Sequence, residues 1–131
     1  MQNAAQAYTT VARQTASPRE LEADLLLQAA ARLQAVEDGW DEQREGLDQA
    51  LLYNRKLWTI FMTSATSPDH PLPVDIRQNI ANLGLFVMNQ TLAMMTKPRR
   101  EDLGSLININ RELAAGLVGR ASQPTDAPSA A

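Results

Sequence analysis

Apolar residues recur every third and fourth position along the chain, and no run alternates with the period of two that a half-buried strand would show. The pattern predicts an all-α fold: a single small bundle of four long helices, preceded by a short N-terminal helix and followed by a disordered C-terminal tail. The short helix is expected over about 3–13, with Ala4, Ala7, Tyr8 and Val11 on one face. Ser17-Pro18-Arg19-Glu20 then carries a start signal. Ser17 can cap, Pro18 suits the first helical position because its missing N–H has no partner there, and Glu20 completes a capping box. Leu21, Leu25, Ala29, Leu33 and Val36 continue this helix on one face, widened by Leu26 and Ala30, until Asp38-Gly39 ends it.

The next helix is predicted from Asp41 to Ser64, with Asp41, Glu42 and Glu45 near its N-terminus, where the macrodipole favours acids. Its core face reads Leu47, Ala50, Leu51, Asn54, Leu57, Trp58, Phe61. The prolines at 68, 71 and 73 make 66–73 the one substantial interior loop. A third long helix from Val74 to Thr96 carries one apolar stripe at Ile76, Ile80, Leu83, Val87, Thr91 and Met94. A second lies at Leu85, Met88, Leu92 and Met95, with Phe86 between them. Lys97-Pro98 breaks the chain, and a last helix over 101–118 carries Leu103, Leu106, Ile107, Leu113, Ala114 and Leu117, with Gly119 closing it. Residues 1–119 form the expected domain and 120–131 the expected tail.

Composition narrows the function classes. The 131 residues are 44% hydrophobic and 21% charged, which suits one folded domain. The absence of cysteine excludes a disulfide framework, a thiolate nucleophile and cysteine-ligated metals, and suits a cytoplasmic location. No apolar run approaches the ~20 residues of a membrane span, so no membrane insertion is expected. A net charge of −3 argues against affinity built on neutralising phosphates, so no direct nucleic-acid contact is expected.

Chemistry-bearing motifs are sparse. The lone His70 sits in the proline-rich loop without a carboxylate at useful spacing, and the acids after position 40 come without histidines. No phosphate-binding glycine loop or nucleophile motif occurs. The expectation is therefore no enzyme, no catalytic residue, no metal and no cofactor. In the one basic cluster, Lys97, Arg99 and Arg100, the adjoining Glu101 and Asp102 blunt the positive field.

Two features remain. Leu51-x-x-Asn54-Arg55-x-Leu57 is echoed by Ile107-x-x-Asn110-Arg111-x-Leu113. The helical period turns both asparagines inward, beside Trp58 in the first copy, and sends Arg55 and Arg111 toward the rim. Buried asparagines at matched positions fix the register between helices, which makes Asn54 and Asn110 structural candidates. The second feature is the third long helix, apolar on most of its circumference. Such a helix is either enclosed by its neighbours or is half of an interface. In the interface reading Leu85, Phe86, Val87, Met88, Leu92 and Met95 meet a partner, the methionines supplying adaptable contacts.

The order of these motifs resembles the FlaF family of flagellar biosynthesis regulatory proteins of alphaproteobacteria. It runs from Ala7-Tyr8 and Ser17-Pro18-Arg19-Glu20 through Ala50-Leu51-x-x-Asn54-Arg55-x-Leu57-Trp58 to Leu72-Pro73-x-x-Ile76-Arg77. It ends with Ile107-x-Ile109-Asn110-Arg111-Glu112-Leu113-Ala114-x-Gly116-Leu117. The resemblance covers roughly 4–118. It implies a small cytoplasmic helical protein needed for flagellin production and filament assembly, acting with the translational regulator FlbT and binding flagellin as an export chaperone. The alternative within the same resemblance is post-transcriptional control of flagellin messenger RNA, directly or in complex with FlbT.

Overall fold

The computed structural model describes residues 18–41 and 44–121, and among them every regular element is helical. The long helices are α1 (Pro18–Asp38), α2 (Leu47–Ala65), α3 (Val74–Thr96) and α4 (Leu103–Ala121). Short 3₁₀ turns at Arg44–Gly46 and Arg100–Asp102 lead into α2 and α4. The expected helix over 3–13, the Ser17 half of the capping box and the tail from 122 lie outside the described residues. No described helix is long and apolar enough to cross a membrane.

α1 and α4 run antiparallel and make the most extensive helix–helix contact of the bundle. Their register is pinned at both ends. The Arg100 Nε donates to the Glu37 carbonyl at 2.9 Å where α4 begins, and Glu22 lines a small cavity with Leu113 and Leu117 where α4 ends. Small side chains let the helices approach: the buried face of α1 is Ala23, Leu26, Ala29, Ala30, Leu33 and Val36. This face is centred on Leu26 and Ala30, and the expected leaders Leu21 and Leu25 are only half-buried at its edge. α2 packs against α1 and α3, reaching α4 through side chains, and buries Leu47, Ala50, Leu51, Asn54, Leu57, Trp58, Phe61 and Ala65, a stripe wide enough to meet two neighbours at once. The Trp58 ring sits edge-on to Phe61, centroids 6.0 Å apart.

α3 is attached differently. Its buried residues, Ile80, Gly84, Val87, Thr91 and Met94, form a seam stepping four and three residues at a time, the narrow stripe of a helix with one neighbour. That neighbour is α2; contact between α3 and α4 is slight. At Gly84 an added Cβ would run into the side chain of Met62, so the absent side chain is what lets α3 lie against α2 there. The α2–α3 loop is held by Arg77, whose guanidinium donates to the carbonyls of Leu72 (3.1 Å), Ser67 (3.0 Å) and Ala65 (3.4 Å). Leu72 is buried beneath this clamp. In the same loop the Leu72 N–H donates to Nδ1 of His70 at 3.2 Å.

Two boundaries depart from the sequence reading. α2 begins at Leu47 rather than Asp41: Trp40 packs against the core before the helix starts, and Gly46, a poor helix former, closes a 3₁₀ turn. Asp48 is therefore the acid in the first turn of α2. At the other end α4 continues through Gly119 to Ala121, and no described glycine has a positive φ, so Gly119 does not close the helix as the sequence suggested.

Candidate partner-binding site

The asparagines of the repeated motif meet at the centre of α1, α2 and α4. Asn110 Nδ2 donates to Asn54 Oδ1 at 2.7 Å and to the Leu26 carbonyl at 3.3 Å, while Asn110 Oδ1 accepts from Trp58 Nε1 at 2.9 Å. Both asparagines are fully buried. The indole N–H can only donate and the Leu26 carbonyl can only accept, so these two fix which way the Asn110 amide faces. Asn110 in turn fixes Asn54, whose Nδ2 is left buried without a hydrogen-bond partner. One side chain thus ties three helices, a register device and not a reaction centre. Arg111, exposed, donates to Gln34 Oε1 at 3.2 Å, and Arg55 is exposed on α2 facing α3.

The predicted partner-binding residues separate into three groups on α3. At 3.6 residues per turn, Leu85, Met88, Leu92 and Met95 lie within about 80° of one another. Leu85, Leu92 and Met95 are more than half exposed, Leu92 at 64%, and Met88 is half-buried beside them. Arg55, Met88, Asn89, Thr91, Leu92 and Met95 line a furrow of about 240 Å³ between α2 and α3. The register set by Met62 against Gly84 and by Arg55 beside Thr91 brings the exposed Leu52 of α2 level with Met95. Phe86 is exposed too, but about 100° further round, on the flank toward α4. Val87 is fully buried against α2 and cannot meet a partner, which corrects its place in the predicted set.

A second opening lies on the flank toward α4, and periodicity missed it. Because α3 packs mainly on α2, its N-terminal half stands off from the C-terminal half of α4. The gap is a groove of about 490 Å³ lined by Ile76, Asn79, Leu83, Ile109, Glu112, Leu113, Gly116 and Leu117. Gln90 closes its far end by donating to the Asp102 carbonyl at 3.2 Å and Ser105 Oγ at 3.4 Å. The signal available in the sequence was the half-occupied face of α4: Ile109 and Leu113 sit one turn apart, beside the core positions Asn110 and Ala114.

Electrostatics add little chemistry. Arg99 pairs with Glu101 at 3.0 Å and approaches Asp102 at 3.9 Å, and Arg100 is held by the Glu37 carbonyl, which leaves this cluster partly neutralised and partly engaged. Burial, then the nearby Arg19 and Arg77 charges, hold His70 below the ordinary histidine value. Desolvation raises Glu22, partly countered by Arg19 at 3.5 Å.

What the geometry offers is therefore apolar docking surface on one loosely enclosed helix. The family model for flagellar protein FlaF matches residues 4–117. The chain belongs to the FlaF family. No curated protein and no solved structure matches it. Membership gives this FlaF chain a role in flagellar biology, and the matched span takes in both flanks of α3, the Asn54–Asn110 pair and the Arg77 clamp.

Proposed function

We propose that this chain is a cytoplasmic flagellin-binding export chaperone, and that the stripe Leu85, Met88, Leu92 and Met95 beside Arg55 holds an amphipathic terminal segment of flagellin. The observation that carries the reading is an apolar stripe left open along three turns of a peripheral helix in a flagellar-family protein. A helix laid into such a furrow buries its own apolar face, the methionines adapt to side chains of different shape, and Arg55 at the rim is placed to meet an acid of the bound segment. The termini of flagellin build the coiled core of a filament and self-associate when free. Covering them before export prevents early polymerisation, and the pool of free flagellin and chaperone then feeds back on flagellin synthesis, with FlbT the partner implied for that step.

Control by direct messenger RNA contact is the weaker reading. The net charge is −3, and in the basic cluster Arg99 is paired with acids. A pull-down of purified protein with full-length flagellin and with flagellin lacking either end tests the proposal. Capture is expected of the full-length protein and of only one of the two truncations. Equal capture of both truncations, or none of the full-length protein, would overturn it.

A further inference from the structure

We infer that the outer face of α2 is a self-association surface, and that its occupant is a second copy of this chain docked antiparallel about Leu52. Asp48, Leu52 and Lys56 follow one another at four-residue spacing and so form one row along the helix. All three are exposed, and at 100° per residue the row lies opposite the centre of the buried stripe. Leu52 is 47% exposed, and Ile60, at 64%, continues the apolar surface beyond Lys56.

The charges of this row are complementary to a reversed copy of itself. Neither Asp48 nor Lys56 makes an ion pair among the described residues, and the residues one turn either side of Lys56 are the exposed Leu52 and Ile60. Within α2 the two charges are eight residues apart, about 12 Å at 1.5 Å per residue, too far to meet. A second α2 running the other way, with the two-fold axis at Leu52, sets residue 48 of each copy level with residue 56 of the other. Leu52 then meets its counterpart, and two Asp–Lys pairs flank the contact, as the self-complementary interface of a two-fold dimer requires. An in-register parallel pairing would instead set like charges against each other.

α3 adds to the same surface. Leu52 is level with the exposed Met95, so an axis crossing both helices brings each Met95 near its counterpart and carries the apolar centre across the second helix. Met95 also belongs to the flank proposed for flagellin, and the dimer and the flagellin complex therefore exclude one another at that end. Self-association does not itself rest on flagellin binding, and its test uses this protein alone.

Sedimentation velocity of the full chain over a concentration series, with circular dichroism of each variant as the check on folding, is the test. The parent chain is expected to pass from monomer to dimer as its concentration rises. Asp48→Lys and Lys56→Asp each turn two attractive pairs into two repulsive ones, and each is expected to weaken the dimer by roughly tenfold or more. The chain carrying both changes has both pairs restored in reverse, so its dimer is expected to return to the strength of the parent. An equimolar mixture of the two single variants is likewise expected to form a mixed dimer. A parent chain that stays monomeric up to millimolar concentration, a dimer indifferent to Asp48→Lys, or one that the double reversal fails to restore would overturn the inference.

Discussion

Asn110 and Thr91 are both buried polar side chains, and they find partners in different places. Asn110 reaches across the bundle to Trp58, Asn54 and the Leu26 carbonyl, so it is satisfied only when α1, α2 and α4 are in register. Thr91 donates to the Val87 carbonyl one turn back in its own helix, at 2.7 Å, and asks nothing of any other element. The buried polar chemistry of one region specifies an assembly of three helices; that of the other is closed within α3, whose ties to other elements are the part-buried Arg77 and Gln90. A helix with a single narrow seam and no fully buried cross-bundle polar tie is the one free to spend the rest of its surface on binding.

The sharpest break of this contrast compares buried and exposed sites at equal chemistry. Val87→Glu places an unpaired charge in the seam and Trp58→Ala empties the centre, and each is expected to cost about 3–5 kcal/mol in urea unfolding. Leu92→Glu, five residues along the same helix, is expected to stay within about 0.5 kcal/mol of the parent. Next comes the asparagine pair, which is asymmetric. Asn110→Leu strands the Trp58 N–H and should cost about 3 kcal/mol, whereas Asn54→Leu removes an already orphaned donor and should cost about 1 kcal/mol or less. The double variant is expected to be less destabilised than the sum, since the two residues share one network.

These outcomes bear on what could be read from the chain beforehand. The helices, the loop at 66–73 and the inward turn of both asparagines were legible because each follows from a local period or a proline. The partner of each asparagine was not, since nothing local says that residues 54 and 110 meet. Likewise Val87 looked like a neighbour of Leu85 and Phe86 in a helix apolar nearly all round; only the packing of α3 on α2 shows which of the three is spent on the core. The groove toward α4 depends on α3 packing mainly on α2, close against Met62 at Gly84, an approach that no composition reveals.

Gly84 accordingly gives the next effect in size. Gly84→Leu must displace Met62 and lift α3 from α2, at a cost of about 1–3 kcal/mol net of the gain in helix propensity. The same seam loosening should weaken flagellin capture, because the furrow needs Arg55 and Leu92 at a fixed separation. Smallest is the pH dependence of the loop that anchors the start of α3. The fold holds His70 below its ordinary value of 6.5, so its neutral form is favoured and stability is full above that value. As pH falls through it, the unfolded chain binds the proton more readily and stability declines slightly. His70→Gln should flatten this slope in unfolding curves taken between neutral pH and about pH 5.

The central claim is that the open flank of α3 is the flagellin-binding surface. The dissociation constant of flagellin for the Leu92→Glu, Met95→Glu double variant, checked first for an unchanged urea midpoint, tests it most directly. The account predicts weakening of roughly tenfold or more, equivalent to about 1.4 kcal/mol, with little dependence on salt. An unchanged dissociation constant in the folded variant would contradict it.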